Sequence, residues 1–188
     1  YPLFAHPNPK KILIVGGGDG GSLEEAVKHK TLGRIVMIEI DKMVVEVSKK
    51  FLGKIHRNAF DDKRVELRYM DGIDYVAKCD EKFDVVILDL TATVGEATKL
   101  FTKEFYESVR SVLHENGVVS LHTSYYFSYP EEFGRIIHTL KSVFKHVSPY
   151  GTDVPLYGGT LYFILCSEGI DFERLSATEL QKRLDKKR

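Results

Sequence analysis

Lys11-Ile12-Leu13-Ile14-Val15-Gly16-Gly17-Gly18-Asp19-Gly20-Gly21 decides the fold of this chain, because an unbroken apolar strand runs directly into a glycine-rich turn. Aliphatic residues in a row, without polar alternation, describe a strand buried on both faces, as in a parallel sheet flanked by helices. The glycines permit a sharp turn and a close approach of backbone to ligand, since no Cβ intervenes. Ser22-Leu23-Glu24-Glu25-Ala26-Val27 then opens a helix, with Ser22 expected as its cap and two acids in the first turn. The turn therefore sits at a helix N-terminus.

The spacing Gly16-x-Gly18-x-x-Gly21 is shared by dinucleotide folds and by ordinary tight turns. Asp19 narrows the choice. A pyrophosphate would meet its carboxylate in the loop that should offer amide hydrogens, whereas an ammonium or sulfonium group would be attracted. The competing reading makes Asp19 a loop residue that bonds its own backbone. Between the two, a cationic nucleoside is the preferred expectation.

Working outward, residues 34–41 read as a second buried strand and 42–51 as an amphipathic helix with Met43, Val44, Val47 and Phe51 on one face. Glu39 ends that strand about 20 residues beyond the glycine turn, where a carboxylate can accept both ribose hydroxyls. Residues 65–70 form a third strand ending in Asp71-Gly72. That pair suits adenine, the carboxylate accepting from the exocyclic amine and the amide donating to a ring nitrogen, and is equally a common turn former. A fourth strand over 83–90 brings Asp89 to the same carboxyl edge, so Asp19, Glu39, Asp71 and Asp89 line one rim. Ligands of open α/β sheets bind at that edge, near the point where strand order reverses.

Beyond it, residues 91–99 read as a polar loop able to cover the site. A helix is expected over 102–113, a turn at Glu115-Asn116-Gly117, a strand over 117–124, and a helix over 130–143 burying Phe133, Ile136, Ile137, Leu140 and Phe144. Residues 146–154 and 160–166 read as a closing antiparallel pair, and 176–188 as a charged, helix-like tail. Tyr125, Tyr126, Phe127, Tyr129 and Tyr157 fall in loops on the ligand edge, where aromatics either pack or wall a channel for an alkyl amine.

Composition narrows the class further. A chain of 188 residues fits one domain that buries about 70% of its unfolded surface. Basic and acidic side chains number 27 each, so charge announces neither nucleic acid nor an anionic membrane. Cys79 and Cys166 lack metal-ligand spacing and read as reduced thiols, so no metal site is expected. No apolar run reaches the length of a membrane span, and a cytoplasmic location is expected. Pro2, Pro7 and Pro9 crowd the start like a connection leading into a domain.

His6-Pro7-Asn8-Pro9-Lys10-Lys11, the glycine loop, Met37-Ile38-Glu39-Ile40-Asp41, Asp71-Gly72, Leu100-Phe101-Thr102-Lys103-Glu104-Phe105-Tyr106 and Val154-Pro155-Leu156-Tyr157 resemble, in order, the markers of the polyamine aminopropyltransferases, the spermidine and spermine synthase family. The resemblance implies an α/β fold of class I methyltransferase-like, Rossmann-like type: a mostly parallel sheet, helices on both faces and a C-terminal antiparallel strand pair. It implies an aminopropyl donor, decarboxylated S-adenosylmethionine, as co-substrate with no prosthetic group. Asp19 would hold the donor's ammonium, Glu39 the ribose, and Asp71 with Gly72 the adenine, beside Gly16 and Gly18. Asp89 would accept the proton of a polyamine acceptor such as putrescine, agmatine or spermidine, with His122 and Tyr157 beside that acceptor.

Two departures qualify the resemblance. Many spermidine synthases carry a second Asp three positions beyond the catalytic one, then Pro; Ala92 and Thr93 stand there, and His122 replaces a common Gln. An acceptor other than putrescine is the resulting expectation. The family's N-terminal β-domain is absent, so residues 1–188 are expected to be one nucleoside-binding catalytic domain: a fragment, a subunit or a shortened relative, forming a homo-oligomer if that region is present. An N-methyltransferase using S-adenosylmethionine and a non-catalytic nucleoside-binding module are the rival readings.

Overall fold

The computed structural model describes residues 1–90, 95–123, 129–155 and 159–187. A short helix α1 (Pro2–Ala5) leads to β1 (Lys11–Gly16), α2 (Gly21–Val27), β2 (Arg34–Glu39), α3 (Lys42–Phe51), α4 (Gly53–His56) and β3 (Val65–Tyr69). Then come α5 (Gly72–Lys78), β4 (Phe83–Asp89), α6 (Lys103–Ser111), β5 (Leu113–His122), α7 (Pro130–Lys141), β6 (His146–Val154), β7 (Gly159–Ser167) and α8 (Ala177–Lys187).

One seven-stranded sheet runs β3-β2-β1-β4-β5-β7-β6. The first five strands of that order pair in parallel, while β7 inserts antiparallel between β5 and β6. This is the mostly parallel sheet with a closing antiparallel pair that the sequence predicts. Its order reverses between β1 and β4, so a crevice opens at their carboxyl ends, below the glycine loop.

Alternate residues of β1 feed opposite layers, which is why the strand is apolar throughout. Leu13 and Val15 pack under α5, α6 and α7 with Tyr75, Phe105, Tyr106, Ile136 and Leu140. Ile12 and Ile14 pack on the other face with Leu23, Ala26, Val45, Leu3 and Phe60. Each such side chain, buried fully, contributes about 1.5–3 kcal/mol. The approach to β1 is pinned by Asp84, whose Oδ2 accepts from the amides of Lys10 (2.7 Å) and Lys11 (2.9 Å).

Three local expectations are corrected. Ser22 does not cap α2: Gly20, at φ +79°, holds the cap position, no side chain bonds there, and only Glu24 is acidic in the first turn. The predicted turn at Glu115-Asn116-Gly117 lies inside β5, whose register against β4 slips between Phe83 paired to Leu113 and Val85 paired to Val118. The expected helix accordingly stops at Ser111, and Leu113 belongs to the strand. The apolar face of α3 is turned outward: Met43 and Phe51 are each 68% exposed, and Val45 with Ser48 seats the helix instead. Among the described residues no helix is long and apolar enough to cross a membrane.

Candidate active site

The glycine loop is shaped by what it touches. Gly16, Gly17 and Gly20 have φ of +82°, +73° and +79°, the left-handed region in which a Cβ is strained. A Cβ on Gly16 would lie 2.2 Å from the Asp89 carbonyl oxygen, and one on Gly18 would lie 2.9 Å from Glu39 Oε2. Gly17 donates its amide to the Asp89 carbonyl at 3.0 Å, locking the loop to the end of β4. The glycines thus bring two carboxylate-bearing strand ends against one loop.

Each predicted acid is held by local chemistry. Asp19, exposed at the loop apex, accepts the Gly21 amide at 2.9 Å through Oδ1, so it does bond its own backbone while facing solvent. Glu39 is 8% exposed; its Oε1 accepts the Asp41 amide at 3.0 Å, and Asp41 in turn caps α3. Asp71 caps α5, accepting the Ile73 amide at 2.7 Å, and Gly72 sits where a Cβ would strike Val15 at 2.4 Å. Asp89 is half-buried, and its Oδ2 accepts the Ser22 hydroxyl at 2.6 Å.

None of these four carboxylates forms an ion pair among the described residues. At the opposite edge of the same sheet the charges are paired: Lys11, Arg34, Glu66 and Glu81 form one network, which Arg68 joins from further along β3. Unneutralised negative charge at a crevice favours a cationic ligand. No group of three His, Cys, Asp or Glu side chains among the described residues could hold a metal ion.

A cavity of about 260 Å³ opens beside the loop, bounded by Gly16, Glu39, Asp71, Gly72, Ile73 and Leu90. Ala97 and Leu100 of the 3₁₀ segment Gly95–Phe101 close one side, so part of the expected covering loop does lie over the crevice. Apolar walls with a few convergent polar groups are what a nucleoside pocket requires. A second cavity of about 350 Å³ reaches Ser22, Ile87 and Ser120 from the other sheet face. Phe4, Tyr150 and Phe163 wall it, the last two stacked at 5.4 Å. Burial pushes the Tyr150 phenol up to about 12, which keeps that wall neutral.

His122 ends β5, half-buried, its ring 6.4 Å from Phe163. Tyr157, Ala92, Thr93 and the aromatic run Tyr125-Tyr126-Phe127 lie outside the described residues. Sequence reasoning missed the Ser22 hydroxyl on Asp89 and the Tyr150–Phe163 wall. The first had a signal, since Ser22 follows the last loop glycine; the second had none, because strand pairing alone brings those rings together.

Fold and site together define an α/β domain of open, mostly parallel sheet, whose carboxyl-edge crevice carries acids that form no ion pair among the described residues. The chain belongs to the spermine/spermidine synthase domain family, whose sequence profile matches residues 1–174. It is 42% identical over 190 residues to a polyamine aminopropyltransferase of Pyrobaculum aerophilum, covering 98% of this chain and 65% of that one. It is 43% identical over 191 residues to that of Thermoanaerobacter pseudethanolicus, covering 99% of this chain and 67% of the relative. Among solved structures, a spermidine synthase in complex with the transition-state analogue AdoDATO superposes with a TM-score of 0.90 at 36% identity, covering 96% of this chain and 62% of that one. The Thermotoga maritima spermidine synthase gives a TM-score of 0.85 at 34% identity, with 96% and 61% covered. This chain therefore spans about two thirds of the relatives it matches.

Proposed function

We propose that this chain is the catalytic domain of a polyamine aminopropyltransferase, moving the aminopropyl group of decarboxylated S-adenosylmethionine to an amine. The observation that carries this reading is the set of four carboxylates at the sheet's carboxyl edge, none in an ion pair among the described residues, in a chain whose formal net charge is zero. The relatives' names and the AdoDATO complex of one of them support the same donor.

In this reading Glu39 accepts from the ribose hydroxyls, Asp71 and Gly72 face the adenine, and Asp19 faces the aminopropyl ammonium. Gly16 and Gly18 let the donor lie against the loop. Asp89 does the chemistry of activation. An alkylamine with a pKa near 10 is mostly protonated at neutral pH and cannot attack. Asp89 takes that proton, and the nitrogen lone pair then forms a bond to the carbon attached to the sulfonium. The carbon–sulfur bond breaks, its electron pair neutralises sulfur, methylthioadenosine leaves, and Asp89 passes its proton to solvent. Ser22, donating to Asp89, orients the carboxylate. Holding the two reactants in line supplies up to about 7–11 kcal/mol of the barrier reduction. The family resemblance assigns His122 and Tyr157 to the acceptor, and Ala92 in place of a second Asp favours an acceptor longer than putrescine.

A mass-spectrometric transfer assay tests this directly. Decarboxylated S-adenosylmethionine offered with putrescine, agmatine, cadaverine and spermidine should yield an aminopropylated amine and methylthioadenosine. Methyl transfer in a parallel reaction with S-adenosylmethionine would replace the reading by the methyltransferase one. Nucleoside binding without either product would reduce the chain to a binding module.

A further inference from the structure

Gly20 is the loop residue that follows Asp19, and it rests on a platform outside the loop. A Cβ there would lie 2.6 Å from both His56 Cβ and Phe60 Cε2, so backbone and platform are in direct contact. The His56 and Phe60 rings sit 5.2 Å apart, and His56 is only 4% exposed.

The platform is itself held in a costly conformation. Arg57 and Asn58, directly after His56, have φ of +43° and +61°, two successive non-glycine residues in the left-handed region. Asn accepts that region readily, whereas Arg does so rarely and persists there only where its surroundings over-determine it. The surroundings are visible: His56 Nδ1 accepts the Asn58 amide at 3.1 Å, and Arg57 reaches Glu24 of α2 at 3.6 Å. Accepting at Nδ1 leaves the ring proton on Nε2 in the neutral form. Among the described residues that buried Nε2 has no partner, so the polar ring is kept there without compensation on its second nitrogen. Leucine would fill such a place at lower cost if packing were all that mattered.

Gly18, on the other side of Asp19, is braced in the same way against Val44 and Glu39. Val44 of α3 and His56 of α4 therefore lie against the loop on either side of its one charged residue. We propose that His56 is a positioning residue for the donor's charged tail: through Gly20 it fixes the place of Asp19 and so sets the preference of the site for a nucleoside bearing an ammonium. This rests on the aminopropyltransferase reading.

The test compares two nucleosides by calorimetry on the full chain. Decarboxylated S-adenosylmethionine carries the ammonium that meets Asp19; methylthioadenosine lacks it. His56→Leu should weaken the first by roughly 10-fold, the scale of one hydrogen bond to a charged group, and leave the second within about 2-fold. His56→Asn, whose Oδ1 can accept the Asn58 amide as Nδ1 does, should restore the preference, whereas His56→Gln, with its acceptor one bond further out, should not. The Asn and Gln pair decides the matter if the leucine variant does not fold. Adding Asp19→Asn should cost less in the His56→Gln background than in the wild-type chain, since both act on one contact. Equal losses for both nucleosides, or no loss for either, overturn the positioning role and leave the functional reading standing. A wild-type chain that binds neither nucleoside overturns both.

Discussion

Asp89 is where backbone and side chain do different work: its carbonyl anchors the glycine loop through Gly17, and its carboxylate lies against the same loop with Ser22 on one oxygen. Asn at this position keeps the carbonyl and the side-chain shape but removes the basic oxygen. Asp89→Asn should bind methylthioadenosine as before and lose 100-fold or more in transfer, on the scale of general-base catalysis; unchanged turnover would remove Asp89 from the base role. Glu39 should behave differently, because in the proposed reading it would hold the ribose equally in ground and transition states. Glu39→Gln should weaken nucleoside binding by about 10-fold with little change in kcat, checked by calorimetry and initial rates.

At the scale of elements, α3 separates pattern from packing. Met43, Val44, Val47 and Phe51 make a stripe by sequence, yet all are 43–68% exposed, while Val45 is fully buried. Val45→Ala should therefore cost about 2–3 kcal/mol in urea unfolding, and Phe51→Ser no more than about 0.5 kcal/mol. The reverse order would mean that the stripe is the packed face. The parallel strands were legible because a strand buried on both faces must be apolar at every position, as Ile12 to Val15 and Val85 to Leu88 are. The strand-end acids were legible for a related reason, since a charge ending such a run can only emerge at the sheet's edge. The failures have the opposite cause. Glu115-Asn116-Gly117 carries turn residues that a bulge uses equally well. Ser22 satisfies a cap rule, but Gly20 takes the cap and frees the hydroxyl for Asp89. His56 carries no local signal, because its contact with Gly20 is made only through the packing of α4 beneath the loop.

Across the whole molecule the two edges of the sheet have opposite electrostatic characters. At the amino edge, hydrogen bonds from Lys11 and then Arg34 hold the Glu81 carboxyl down to about 2, and Arg34 and Arg68 lower Glu66. Arg64 holds Asp62 down to about 2 while also donating to the carbonyls of Val27, which ends α2, and His29 just beyond it. Carboxyls depressed in the folded state add stability that is complete above their unfolded range and is lost as they protonate. The urea midpoint should therefore hold from pH 7 to about 5 and fall as pH drops from the ordinary Glu value of 4.5 toward 2. Glu81→Gln should start lower and fall less steeply; an acid limb identical to wild type would place the sensitivity elsewhere.

The insertion of β7 between β5 and β6 governs the order in which the molecule can be completed during synthesis. The parallel strands become available as the chain emerges, each beside a neighbour already made, except that β1 must wait for β2 and β4. β6 emerges with no neighbour, because among the described residues its partner in the sheet is β7, which has yet to leave the ribosome. Until then the free edge of β5, with its apolar residues Val118 and Val119, is open to pairing with a stranger. The sheet therefore cannot close until β7 has been made, and the interval before that is when the nascent chain most needs a chaperone.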